Sequence, residues 1–183
     1  MRRYPVWMAS GILVTLVSLP ATASAQGFSV NEHSSCAMGR AGAAVAAPCA
    51  DGSAMVFNPA GLASLAKGSS VASLGATFIA PSGSFTDDAT GLESKLNDRV
   101  FPVPAVYLAH GFTNTVAAGI GVYAPYGLET DWPSTSQGRF SSYRSDIRNI
   151  YVQPTVAMKL GSKVKVGAGF DVNFLHLRLE QRV

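Results

Sequence analysis

From residue 68 onward the chain alternates, and that period of two constrains its fold more than any other feature. Ala72, Leu74, Ala76 and Phe78 are separated by Ser73, Gly75 and Thr77. Val116, Ala118, Ile120 and Val122 are separated by Ala117, Gly119 and Gly121. Ile150, Val152, Val156, Met158 and Leu160 form a third series, and Val164, Val166, Ala168, Phe170, Val172 and Phe174 a fourth. A weaker run lies at 103–110. Successive side chains of a strand point to opposite faces, so each run predicts a strand with one aliphatic or aromatic face and one small or polar face. Five strands are predicted, each close to the about 9–11 residues that cross a bilayer at a tilt.

A half-buried strand of a soluble sandwich shows the same period. The connections discriminate. Phe112-Thr113-Asn114-Thr115 and Gly161-Ser162-Lys163 are tight turns, whereas 81–102 and 128–146 are long polar loops. Short and long links alternate, as in barrels with short periplasmic turns and long extracellular loops.

The N-terminus agrees with export. Arg2 and Arg3 precede an uncharged apolar run at 6–19, and Ala23-Ser24-Ala25 offers small residues for cleavage. That pattern predicts a signal peptide over 1–25. The apolar run is shorter than the about 20 residues of a spanning helix. The whole chain has 14 Lys and Arg against 11 Asp and Glu; without Arg2 and Arg3 the balance falls to +1. No basic cluster interleaved with aromatics is present, so no nucleic-acid partner is read. In an oxidising compartment Cys36 and Cys49 pair most simply with each other. The alternative is two buried thiols. No metal-ligand spacing and no cofactor motif is found.

These features predict an all-β fold: a transmembrane antiparallel β-barrel in the outer membrane of a Gram-negative bacterium. Five strands cannot close, since bacterial barrels begin at eight, and an open edge in lipid leaves N–H and C=O groups unpaired. The chain is therefore expected to be the N-terminal part of a longer protein: signal peptide 1–25, a compact segment 26–67, and the first strands at 68–183. The compact segment lacks alternation. It carries the Cys pair and "VFNPAGL", where Asn58 is placed to cap a short helix that begins at Pro59. Before the first strand of a barrel, such a segment has one economical place, the lumen, as a plug.

The segments "GFSVNEHSSCAMGRAGAAVA" and "SAMVFNPAGL" resemble the N-terminal hatch of the FadL/TodX-type outer-membrane transporters of long-chain fatty acids and hydrophobic compounds. The resemblance continues through "VAAGIGVYAPYGLETDWP", "GRFSSYRSDIRNIYVQPTVAMKL" and "VKVGAGFDVNF". It implies a fourteen-stranded barrel, monomeric when complete, with a hatch. It implies that a long-chain fatty acid or other hydrophobic small molecule is bound in the lumen and released sideways into outer-membrane lipid. It places the turn Asn58-Pro59-Ala60 near an inward kink of the third strand, here around Gly119, Gly121 and Pro125. The alternative is that these glycines only ease curvature.

The apolar set of the last run shifts from even positions to Leu175, Leu177 and Leu179, which predicts a bulge near Phe174 and Leu175 and turns His176, Arg178 and Glu180 inward. By resemblance, His176 takes the place of a basic head-group contact. The alternative is a solvated strand end. Trp132, Phe140 and Tyr143 read as a landing surface for a hydrophobic molecule or as interface aromatics.

Rival classes fare worse. His33, His110 and His176 stand in no triad spacing, and there is no G-x-S-x-G elbow. An adhesive or structural barrel needs no plug. A hydrophilic porin needs more inward charge than these faces carry.

Overall fold

The computed structural model describes residues 29–183. The predicted signal peptide, 1–25, and residues 26–28 lie outside them. Two short helices come first, α1 at Ser35–Gly39 and α2 at Ala54–Phe57, followed by a 3-10 helix at Pro59–Ser64. Ser34 caps α1, its Oγ accepting from Ala37 N at 3.2 Å. Cys36 and Cys49 are joined by a disulfide with Cα atoms 6.2 Å apart.

The strands are β1 Ser70–Ile79, β2 Ser84–Thr86, β3 Glu93–Lys95, β4 Phe101–Gly111, β5 Val116–Asp131, β6 Arg144–Leu160, β7 Val164–Gly169 and β8 Val172–Glu180. One antiparallel sheet runs β1-β4-β5-β6, and both β7 and β8 pair with β6. β2 and β3 form a separate hairpin in the first loop. β7 and β8 hold one continuous register on β6: Thr155 faces Gly169, and Val152 faces Val172. They are one strand interrupted at Phe170 and Asp171, where it passes Pro154, which has no N–H to donate.

The two faces of the sheet differ. One carries Tyr107, Ala109, Ala117, Tyr123 and Ala157, and packs on Met55, Leu62 and Ala63 of the N-terminal segment to make the buried core. The other leaves Leu74 83% and Phe78 69% exposed, with Leu108, Ile120, Val156, Met158 and Val166. A face of large exposed aliphatics suits hydrocarbon. Among the described residues no helix is long and apolar enough to cross a membrane. The inward face is small where the N-terminal segment lies on it. A Cβ on Gly119 would stand 2.7 Å from Met55 Cε, and one on Gly167 would overlap the backbone of Pro59 and Ala60.

Two expectations are corrected. The second loop is shorter than 128–146, because β5 continues to Asp131 and β6 starts at Arg144. Charged side chains there ladder across the strands, and alternation of apolar residues is not needed beyond the lipid. There is no bulge at Phe174 and Leu175, since β8 keeps one register from Val172 to Glu180. The bulge lies instead in β5, where the register on β6 shifts between Tyr123 and Tyr126.

Candidate functional site: a window between two strands

β4 and β5 pair from Gly111 opposite Ala117 up to Ala105 opposite Tyr123, and then part. Beyond that point Phe101 to Pro104 still pair with β1, from Ile79 to Ala76, but not with β5. β5 takes in its extra residue there, around Ala124 and Pro125, and its upper half follows β6 instead. Proline explains why the ladder stops. Pro102 and Pro104 stand two apart, so their missing N–H groups lie on one edge of β4. The β1 ladder runs past both, so that edge is the one toward β5.

The gap is bounded. Below it is the pair of Ala105 and Tyr123. Above it, Asn97 N donates to Asp131 O at 2.8 Å, Asn97 Nδ2 to Asp131 Oδ1 at 3.2 Å, and Arg99 pairs with the Asp131 carboxylate. The result is a window in the wall, framed by Phe101–Pro104 of β4 and the residues after Tyr123 on β5.

The N-terminal segment meets the window at its inner rim. Val30 N donates to Pro125 O at 2.8 Å, and Ser29 bridges to Tyr126. Below lies an aromatic and polar cluster. Tyr107 Oη donates to His33 O at 3.1 Å, Tyr123 Oη to Gln153 Oε1 at 2.6 Å, and Gln153 Nε2 to Met55 O at 3.2 Å. Tyr123 stacks on Tyr151 at 5.8 Å, and the His33 ring meets Tyr123 edge-on at 5.3 Å. His33 is 5% exposed, and among the described residues its Nδ1 has no partner. Burial pushes its pKa below the ordinary histidine value, partly offset by the charge of Glu32. Asp51 fastens the same segment. Burial pushes its carboxyl up, but hydrogen bonds from Ser34 Oγ and from Ser53 Oγ and N outweigh that and hold it below the usual carboxylate range.

Above the cluster the inward face turns greasy. Tyr126 pairs with Asn149, Leu128 with Ile147, and Leu175, Leu177 and Leu179 follow on β8 opposite Asn149, Ile147 and Ser145. This explains the shift at Leu175 without a bulge. The strand stays regular while its apolar side changes from outward to inward. Geometry fixes which face a residue occupies; hydropathy reports what that face meets.

The sequence-derived site residues do not converge on one place. Asn58 caps the 3-10 helix, its Oδ1 accepting from Ala60 N at 3.2 Å while Nδ2 donates to Val45 O at 2.9 Å. The turn of Asn58, Pro59 and Ala60 rests on Gly167 of β7. Gly119 and Gly121 are fully paired, opposite Ala109 and Tyr107, and make room for Met55 and Tyr107; they do not form the opening. Pro125 does sit at the kink. His176 and Arg178 share the face of Phe174 and Ile150, opposite Arg148 and Asp146, so they do not point into the lumen. Sequence reasoning missed Val30, Pro102 and Pro104. The paired prolines carried a legible signal, two lost donors on one strand edge.

A family model described as outer membrane protein transport protein (OMPP1/FadL/TodX) matches residues 16–183. The chain belongs to this family. The FadL/TodX fold is an antiparallel outer-membrane β-barrel, here not closed, and the family is one of transport proteins of the Gram-negative outer membrane. A long-chain fatty acid transport protein of Salmonella typhi is 23% identical over 184 residues, covering 99% of this chain and 42% of that protein. A 47 kDa outer membrane protein of Pasteurella multocida is 31% identical over 135 residues, 74% of this chain and 31% of that one. A crystal structure of a Pseudomonas aeruginosa FadL homologue aligns with a TM-score of 0.60 at 20% identity, over 79% of this chain and 37% of the homologue, and shows the fold. The chain thus spans about two-fifths of the length of the long-chain fatty acid transport proteins it matches.

Proposed function

We propose that this FadL/TodX-family chain, with the strands that complete its barrel, takes up long-chain fatty acids or other hydrophobic compounds and releases them sideways into the outer membrane. One observation carries the reading: the bounded window where β4 and β5 part. Residues 26–67 act as the plug, and the complete barrel works as a monomer without enzymatic activity. A ligand first meets the inward leucines of β8, comes to rest above the tyrosine cluster, and leaves through the window. Release into lipid is favoured because each CH₂ kept out of water is worth about 0.8 kcal/mol. Unpaired backbone groups facing lipid are costly, so a gap in the wall needs a compensating partner. Val30 supplies one for Pro125. The plug has two anchors, Val30 on Pro125 and the Asn58-Pro59-Ala60 turn on Gly167. Movement of the first frees the inner rim while the second holds.

The test is uptake of a radiolabelled long-chain fatty acid by intact cells that lack their own transporter and express the full-length barrel. Uptake no greater than in cells with an empty vector overturns the reading and favours a structural or adhesive barrel.

A further inference from the structure

Arginines on the outward face of β6 and β8 form a second site, unconnected with the lumen. Below Ile150 and Phe174 this face is aliphatic. Directly above them it becomes charged: Arg148 stands opposite His176, and Asp146 opposite Arg178. The acids are sunk. Glu129 and Asp146 side chains are only 5% and 4% exposed, while those of Arg148 and Arg178 are 60% and 53% exposed. Arg148 holds Asp146 through Nε and Nη2, both at 2.9 Å, and Glu129 through Nη2 at 3.1 Å. Arg178 holds Glu180 through Nε and Nη2. Among the described residues, neither Nη1 has a partner. Buried Asp146 and Glu129 therefore orient the Arg148 guanidinium, and Glu180, its side chain 24% exposed, orients that of Arg178, leaving an Nη1 donor free on each. Side chains on this diagonal are about 7–8 Å apart, a spacing that one tetrahedral anion can bridge.

We propose that this face binds a phosphate of lipid A, the anchor of outer-leaflet lipopolysaccharide. The chemistry fits a ligand with two halves. Acyl chains lie on Ile150, Val152, Val172 and Phe174, and the phosphate is held by Arg148 and Arg178, with His176 beside them. Planar guanidinium forks suit phosphate oxygens, and such charge-assisted bonds are the strong ones. The charged side chains begin where the outward apolar band ends, the level at which a lipid's phosphate sits. The proposal rests on the outer-membrane placement, with the long loops outside, and does not depend on transport.

The full-length barrel is reconstituted in phosphatidylcholine vesicles containing bis-phosphorylated lipid A, dephosphorylated lipid A or phosphatidylglycerol. Lipid retained on extraction is measured by native mass spectrometry. Wild type retains the bis-phosphorylated lipid in preference to both others. Arg148→Gln with Arg178→Gln weakens retention about tenfold or more, and Arg178→Gln alone weakens it less; fatty-acid uptake by Arg178→Gln is unchanged. Equal retention of dephosphorylated lipid A by wild type overturns the proposal, as does equal retention of phosphatidylglycerol. So does a folded double variant that keeps lipid A like wild type. Should the double variant not fold, the comparison of lipids on wild type still decides.

Discussion

Closing the window is the sharpest test of lateral release. β5 follows β6 in two registers offset by one residue, before and after Ala124-Pro125. Deleting Ala124 merges them and leaves every pair on β6 intact, so Tyr126 still faces Asn149. Replacing Pro102, Pro104 and Pro125 with Thr restores the donors. Phe101 to Pro104 of β4 then face four further positions of β5, worth roughly four backbone hydrogen bonds. At about 1 kcal/mol net each, closure gains about 4 kcal/mol. The Val30 to Pro125 bond is lost, which returns about 1 kcal/mol. The remaining about 3 kcal/mol biases the wall toward closed by about a hundredfold. Fatty-acid uptake by intact cells falls by about that factor or to background, while surface expression and the heat-modifiable folded form persist. The reasoning is refuted if a structure of the variant shows β4 and β5 zipped and uptake stays near wild type. The ligand then leaves by another path, through the plug.

Four further outcomes follow from the same geometry. Gly167→Val drives a side chain into the backbone of Pro59 and Ala60, so the plug unseats and its amide hydrogens exchange faster with the barrel still folded; unchanged exchange contradicts the anchor. Non-reduced peptide mass spectrometry finds Cys36 linked to Cys49, and Cys36→Ser with Cys49→Ser costs the plug up to about 3 kcal/mol in the chain-entropy model, read as increased protease sensitivity; two free thiols in protein isolated without reductant contradict it. His33 is buried with a lowered pKa, so the unfolded plug takes up a proton near pH 6.5 and the folded plug only below that. Its stabilisation is whole above that pH and is lost as pH falls through it, so the plug's protection factors, which take out the intrinsic pH dependence of exchange, are smaller at about pH 5 than at about pH 8, and His33→Phe removes the difference. Maleimide labels Thr135→Cys on intact cells and leaves Asn114→Cys unlabelled, because Thr135 lies in the long loop after β5 and Asn114 in a short turn; the reverse pattern inverts the barrel.

Much was legible in the chain because strand geometry is local. A period of two and the turns between runs fixed where the strands lie, and Asn58 before Pro59 fixed a cap that needs only neighbouring residues. The cysteines reach each other within a short segment. The failures came where a local pattern was asked for a global answer. The shift of apolar residues at Leu175 looked like a change of geometry. It is a change of surroundings, because the outward face leaves lipid at the level where the inward face becomes the greasy mouth. His176 and Arg178 were misplaced with it.

What the sequence by itself determined is the alternation, hence antiparallel strands with one apolar face, and the identity of residues that cannot donate to a ladder. Pro102, Pro104 and Pro125 mark a weak edge before any fold is known. What only the tertiary structure decided is which neighbour each edge loses and what comes to fill the loss. The bulge goes to β5 because that strand must satisfy two partners whose registers diverge by one residue. Val30 reaches Pro125, and Pro59 and Ala60 reach Gly167, across long stretches of chain. Such contacts depend on how strands stack side by side, and no periodicity within a single strand encodes that.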